Sequence, residues 1–281
     1  MKPKYFVPFK RYKPLSLTGS WCALKCRFCE GRYLKNMVPV NPDNVEEVLL
    51  DLYQRGVRGV LISGGFRPDG TLPIEPYIDK LRRVKKRLNM VMSAHLGLVK
   101  DPHVLQDLKD VIDVVDYEFT LSPYIIKSVR GLSVEPGDYI KSLKLITEAG
   151  LRVVPHMFAW HPGASVKSVE KELHILEDMD VREITLLVYV DEAYRLAARQ
   201  LASLVEELVV HARDVFSGKL YLGCMRPGFL KPLLDTNIVE RGYVERIANP
   251  YYRLRNKLPG EVYDACCSLD DSALTMFKGD K

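Results

Sequence analysis

The chain has 281 residues, of which 47% are hydrophobic and 27% charged. That composition excludes a disordered or low-complexity chain, which could not bury enough apolar surface to offset its ordering entropy. The net charge is mild, 41 − 36 = +5, and the length suits one α/β barrel or two compact domains.

In chain order, the basic start Met1-Lys2-Pro3-Lys4 leads into Phe6-Val7-Pro8-Phe9-Lys10-Arg11 and not into an apolar h-region, so no secretory signal is expected. A short strand at 16–18 precedes three clustered cysteines. A helix over 45–53 is introduced by Asn41-Pro42-Asp43, with Asp43 or Asn44 as its cap. A strand at 59–63 follows, then a helix whose basic run, Lys80-Leu81-Arg82-Arg83-Val84-Lys85-Lys86-Arg87, carries Leu81, Val84 and Leu88 as its apolar stripe. That run reads as a solvated helix face and not as a nucleic-acid patch. Strands are expected at 90–93, 114–119 and 152–157, with a helix over 138–149 that ends at Gly150. A helix over 165–179, a strand at 184–190, a helix over 191–216, a strand at 220–223 and an eighth candidate strand at 244–247 complete the pattern. The longest apolar run, 184–190, is broken by Thr185 and falls far short of a membrane span. The expected setting is therefore cytoplasmic, with neither a membrane nor a nucleic acid as partner.

Near-continuous apolar strands alternating with helices predict a parallel sheet with covered faces. The fold class expected is α/β, a complete or partial TIM-type (β/α) barrel. Residues 1–260 would form the barrel, and 261–281 a C-terminal extension that closes its mouth. In such barrels chemistry sits at the C-terminal ends of strands. Those ends carry the Cys22 loop, Ser63-Gly64-Gly65, His95, Glu118, His156 and Cys224.

Six cysteines fall into two groups, Cys22, Cys26 and Cys29 near the start and Cys224, Cys266 and Cys267 near the end. Without a secretory signal, metal or redox chemistry is a better reading than a disulfide framework. The first group is a C-x₃-C-x₂-C run whose soft thiolates select zinc or an iron–sulfur centre. A structural zinc would want a fourth Cys or His ligand nearby, and the nearest histidine is His95. Three thiolates on a four-iron cube leave one iron open.

This run, with Phe28 before its last cysteine, resembles the signature of the radical S-adenosylmethionine (SAM) superfamily. Ser63-Gly64-Gly65 at the end of the next strand resembles that superfamily's glycine motif, whose backbone contacts the SAM amino group. Phe66 stands where an acidic residue is common, and no glycine-rich motif occurs in Val153-Val154-Pro155-His156-Met157. The resemblance implies a radical SAM (β/α) barrel in which SAM chelates the open iron of a [4Fe-4S] cluster on Cys22, Cys26 and Cys29. One electron cleaves the sulfonium, and the 5′-deoxyadenosyl radical abstracts hydrogen from an unactivated C–H bond, the cofactor carrying the hard step. Phe28, Ser63, Gly64 and Gly65 would line the cofactor. A side chain at Gly65 would block backbone approach to the methionyl group. Glu118, on the fourth strand, is the candidate for the ribose hydroxyls, or else pairs with a lysine or arginine. Ser93 and His95 would contact SAM or substrate.

The second group can be buried structural cysteines, since free Cys packs like a small hydrophobe. It can also hold an auxiliary iron–sulfur cluster on Cys224, Cys266 and Cys267, with Ser268 and Arg226 as nearby non-thiol candidates. Over nearly its whole length the chain also resembles a biotin synthase-related group, sharing Cys22-Ala23-Leu24-x-Cys26-x-x-Cys29-x-Gly31-x-Tyr33-Leu34, Gly223-Cys224-Met225-Arg226-Pro227 and Cys266-Cys267. That resemblance implies one component of the two-protein, archaeal-type lipoyl synthase. Such an enzyme is a sulfurtransferase that inserts sulfur from the auxiliary cluster, expected as [4Fe-4S], into a protein-bound octanoyl chain. Its partners would be an octanoylated lipoyl-acceptor protein or peptide, the second radical SAM component and a reductant such as ferredoxin. Another radical SAM reaction, such as biotin-type sulfur insertion, and a metal-binding scaffold are the other readings.

Overall fold

Parallel pairing dominates the computed structural model, which describes residues 2–279. The strands are β1 Lys4–Phe6, β2 Tyr12–Ser16, β3 Val38–Pro39, β4 Gly59–Ser63, β5 Val91–Ala94 and β6 Val114–Glu118. They continue as β7 Val153–Trp160, β8 Glu183–Val188, β9 Lys219–Leu222, β10 Arg246–Ala248 and β11 Glu261–Tyr263. The helices are α1 Val45–Gln54, α2 Ile78–Arg87, α3 Pro102–Leu108, α4 Pro136–Glu148, α5 Val166–Asp178, α6 Ala198–Val215, α7 Lys231–Glu240 and α8 Leu254–Lys257. No helix among the described residues is long and apolar enough to cross a membrane.

The chain divides into two compact units. The first comprises Pro8–Val153 and Leu269–Phe277. Its strands run β3-β2-β4-β5-β6, and its named pairs are parallel. Strand β5 is buried throughout, as expected of a strand covered on both faces. Helix α2 buries Ile78, Leu81 and Val84. From its basic run, Arg83 reaches Glu46, Lys85 reaches Asp113 and Arg82 reaches Asp107. Helix α4 begins at Pro136 behind a reciprocal cap between Glu135 and Asp138, two residues earlier than expected.

The second unit holds Val154–Ser268 with residues 2–7 and 278–279. Its strands run β7-β8-β9-β10-β1-β11, again with parallel named pairs. Ser165 caps α5 through Ser168. The expected helix over 191–216 is divided into a 3₁₀ stretch, Glu192–Ala197, and α6.

Two expectations change. The first long strand ends at Ser16 and does not start there, which turns 17 and 18 into the loop that leads to the cysteines. The C-terminal segment was expected to close the barrel mouth, but Asp271–Phe277 lies at the opposite ends of the strands. The Arg11 side chain donates to the Met276 carbonyl at 3.3 Å, and the Phe277 ring packs edge-on to Tyr12 at 5.9 Å. Tyr12 and Gly59 open β2 and β4, so the apolar Phe277 covers N-terminal ends. The extension expected over 261–281 starts with a strand, β11, that pairs with β1, and its last two residues lie outside the described ones.

Candidate active site

In the first unit the chain beyond β4 and the cysteine loop are joined by hydrogen bonds. Leu17 N–H donates to the Ser63 carbonyl at 2.9 Å and Ala23 N–H to the Phe66 carbonyl at 2.9 Å. The Thr18 hydroxyl accepts from Gly65 N–H at 2.6 Å and donates to the Trp21 carbonyl at 2.9 Å. Ser63 is buried at the end of β4. A Cβ on Gly65 would overlap the Trp21 carbonyl oxygen and lie 2.6 Å from the Cys22 Cα. Only glycine allows two backbones so close. A Cβ on Gly64 would be 3.1 Å from the Thr18 hydroxyl.

The three thiols follow one tight turn. Cys29 and Glu30 N–H groups donate to the Cys26 carbonyl at 2.9 and 2.7 Å. Lys25 and Glu30 hold positive φ of 47° and 49°, a conformation that costs a non-glycine residue free energy and recurs at functional loops. Cys26 is buried, while Cys22 and Cys29 are half-buried. Burial pushes the Cys26 thiol up, the Arg130 cation pulls it down, and Cys22 and Cys29 push it up again. Two donors already face sulfur. Phe66 N–H is 3.4 Å from Cys22 Sγ, and Arg130 Nη1 is 3.8 Å from Cys26 Sγ.

Strands β5 and β6 supply the rest. Asp116 and Glu118 share one face of β6 because side chains alternate along a strand. The Ser93 hydroxyl donates to Asp116 Oδ2 at 2.9 Å and lies 2.6 Å from the Tyr12 hydroxyl. His95 Nε2 sits 4.0 Å from the same Asp116 oxygen. Burial holds the imidazole pKa below its ordinary value, Asp116 raises it, and Arg130 adds to the lowering. Glu118 pairs with Arg130, the arginine partnership that the sequence left open. Its other oxygen, Oε1, and Arg130 Nε are buried without a hydrogen-bond partner. The Phe28 ring is buried with the guanidinium carbon 5.6 Å from its centre. Thus Cys22, Cys26, Cys29, Phe28, Ser63, Gly64, Gly65, Ser93, His95 and Glu118 all belong to this unit.

Sequence reasoning missed Asp116 and Arg130. Asp116 carried a signal, a carboxylate two residues before Glu118 inside an apolar run. Arg130 carried none, because its partners come from distant segments.

Cys224, Cys266 and Cys267 all lie in the second unit. Cys224 is exposed just past β9, Cys266 is half-buried with Sγ 3.1 Å from the Ser268 hydroxyl, and Cys267 is buried. The Cys267 carbonyl accepts from Arg246 at 2.6 Å. Arg226 is no ligand candidate. Its Nε and Nη2 both sit 2.9 Å from the Asp235 carboxylate, with both side chains at zero exposure. Its Nη1 donates to the Gly223 and Ala248 carbonyls, which commits the fork to tying the β9–β10 loop. Among the described residues, no three His, Cys, Asp or Glu side chains converge closely enough to hold a metal ion. Neither cysteine set is a preformed cage.

The sequence model of the radical SAM superfamily matches residues 16–176. The chain belongs to the radical SAM superfamily. The matched span contains the first cysteine set with Ser63, Gly64, Gly65, Ser93, His95, Asp116, Glu118 and Arg130, and it excludes the second set. No curated protein matches the sequence. Solved structures agree in fold at low identity. HydG, described as a maturase of the [FeFe]-hydrogenase, aligns with TM-score 0.58 and 14% identity over 88% of this chain and 56% of its own. Streptococcus suis SuiB bound to S-adenosylmethionine gives 0.57 and 16%, over 93% and 58%. Methylornithine synthase (PylB) gives 0.55 and 13%, over 86% and 71%. The chain thus spans little more than half the length of the first two. Their fold is the partial (β/α) barrel of radical SAM enzymes, and that is the fold of this chain.

Membership makes the protein an enzyme and implies a [4Fe-4S] cluster and SAM. The residues fit both. Cys22, Cys26 and Cys29 lie on one loop, with N–H donors facing two of the sulfurs, and thiolates with N–H groups near sulfur are what such clusters use. A buried carboxylate oxygen without a partner, Glu118 Oε1, is an acceptor that a ribose diol would satisfy.

Proposed function

We propose that this chain is a radical SAM sulfurtransferase of lipoyl assembly, inserting sulfur into an unactivated C–H bond of a protein-bound octanoyl chain. Cys22, Cys26 and Cys29 would hold the SAM-binding cluster. Cys224, Cys266 and Cys267 would hold an auxiliary cluster that serves as the sulfur source. The observation that carries this reading is the distribution of thiols, with one set of three inside the family span and a second set of three, in another unit, outside it. A radical SAM enzyme needs only the first.

When bound, the cluster and SAM supply one-electron cleavage and hydrogen abstraction. The chain supplies position and exclusion of water. Gly64 and Gly65 keep backbone close to the cysteine loop, Glu118 offers Oε1 as an acceptor, and Asp116 holds Ser93. His95 faces the same carboxylate, its Nε2 4.0 Å from Asp116 Oδ2. An octanoylated lipoyl-acceptor protein, a second radical SAM component and a reductant such as ferredoxin are the partners this function needs.

One observation favours a second reading. Cys266 faces Ser268 while Cys267 is buried, an arrangement that also suits structural thiols and another radical SAM reaction, such as biotin-type insertion. The test is anaerobic reconstitution with SAM, reductant and an octanoyl-lysine peptide, read by mass spectrometry. A thiolated octanoyl product is expected. 5′-Deoxyadenosine without any sulfur in the peptide would favour the second reading.

A further inference from the structure

Arg130 follows a π-helical turn, Tyr124–Val129, and lies outside every motif in the sequence. Its backbone is tied on both sides of the site. Arg130 N–H donates to the Ile125 carbonyl at 2.9 Å, and the preceding Val129 carbonyl accepts from Arg27 N–H at 3.0 Å. Arg27 is the neighbour of Cys26, so a main-chain bond holds side by side the two segments that carry the guanidinium and the thiol. From that anchor the side chain, 13% exposed, reaches three groups. Nη1 lies 3.8 Å from Cys26 Sγ, the guanidinium carbon stands over Phe28, and Nη2 pairs with Glu118. Cys26 is the most buried of the three thiols, where a charge and an N–H donor act through little solvent.

The potential of a thiolate-held iron–sulfur cluster depends on net charge, hydrogen bonds to sulfur and exposure. Arg130 bears on all three. Reduction adds negative charge, which a neighbouring cation and an N–H···S bond stabilise. We propose that Arg130 is a positioning residue that raises the reduction potential of the cluster held by Cys22, Cys26 and Cys29, and that Glu118 offsets part of that effect by pairing with it. This rests on the ligand assignment given under the proposed function. It assigns Glu118 two tasks, neutralising Arg130 through Oε2 and accepting a ligand through Oε1. The buried Phe28 ring, 5.6 Å from the guanidinium carbon, adds a cation–π contact to the pair.

The test is an EPR-monitored redox titration of the full chain, reconstituted without SAM and carrying Cys224→Ala, Cys266→Ala and Cys267→Ala so that a single cluster reports. Arg130→Gln is expected to lower the ratio of reduced to oxidised cluster at a fixed potential about tenfold, a negative shift of about 59 mV for one electron. Glu118→Gln is expected to shift the potential the opposite way by a similar amount. Arg130→Lys, which keeps the charge and loses the planar fork, falls between wild type and Arg130→Gln. A loosened loop would move Arg130→Gln and Glu118→Gln in one direction, and that result overturns the proposal. So does an unchanged potential in Arg130→Gln with the cluster bound. If Arg130→Gln binds no iron, Glu118→Gln decides, and an unchanged or lowered potential overturns the role. Failure of the ligand assignment looks different, since Cys26→Ala would then bind iron and titrate like wild type.

Discussion

At Gly65 the neighbouring backbone imposes the constraint before any ligand does. A side chain there meets the Cys22 Cα at 2.6 Å, so the strain falls on the cysteine loop. Gly65→Val is therefore expected to lose most of its iron on reconstitution as well as its SAM affinity. Iron and sulfide assays beside SAM titration check this. Wild-type iron with weakened SAM binding would return Gly65 to a pure ligand contact. Arg226 and Asp235 give a stability counterpart. Removing one member of a buried ion pair leaves the other uncompensated, at about 3–5 kcal/mol. Asp235→Asn should lose about that much in denaturant unfolding, and a loss below about 1 kcal/mol would show that the β9–β10 loop is held by something else. At this scale the sequence was legible where chemistry is local. Cys22-x₃-Cys26-x₂-Cys29 and Ser63-Gly64-Gly65 carry their meaning in spacing and in the absence of a side chain. Arg130 could not be read, because an arginine after a valine acquires its role only from Cys26 and Glu118, whereas Asp116 was legible as a carboxylate in an apolar run but not its partner Ser93.

Among the elements, Phe277 is the sharpest case. Fully buried and packed on Tyr12, it should cost about 3–5 kcal/mol when cut to Ala. It lies at the ends of β2 and β4 opposite Ser16 and Ser63, so SAM cleavage per folded molecule is expected to stay at the wild-type rate. A fall in 5′-deoxyadenosine yield without a fall in stability would refute that placement. Strands β4 to β9 were readable from apolar runs, α1 from its capping sequence, and α4 and α5 from amphipathic periodicity. Strands β1 and β11 were not. Each has three residues, too few for a pattern, and each is specified by partners far along the chain. Strand β2 was displaced because Lys13 and Pro14 interrupt its apolar reading, whereas in the sheet Pro14 lies beside β4 and β3 pairs only from Leu15 onward.

For the whole molecule, the separation of the two thiol sets into different units makes them independently removable. Cys266→Ala with Cys267→Ala should keep SAM cleavage and lose sulfur incorporation into octanoyl-lysine. Thiolation at the wild-type rate in that double variant would end the auxiliary-cluster reading. The division of the chain also governs the order of assembly. Leu269–Phe277 belongs to the unit that begins at Pro8, and the bond from Arg11 to Met276 joins residues 265 positions apart. On the ribosome, Tyr12 and Gly59 emerge early and stay uncovered until Phe277 has been made. Vectorial synthesis thus gives the unit that holds Cys22, Cys26 and Cys29 no head start, because its longest loop closes only when Leu269–Phe277 has been made. A nascent chain stalled before Leu269 would expose apolar strand ends to chaperones, and iron loading that needs a finished fold would be a post-translational event.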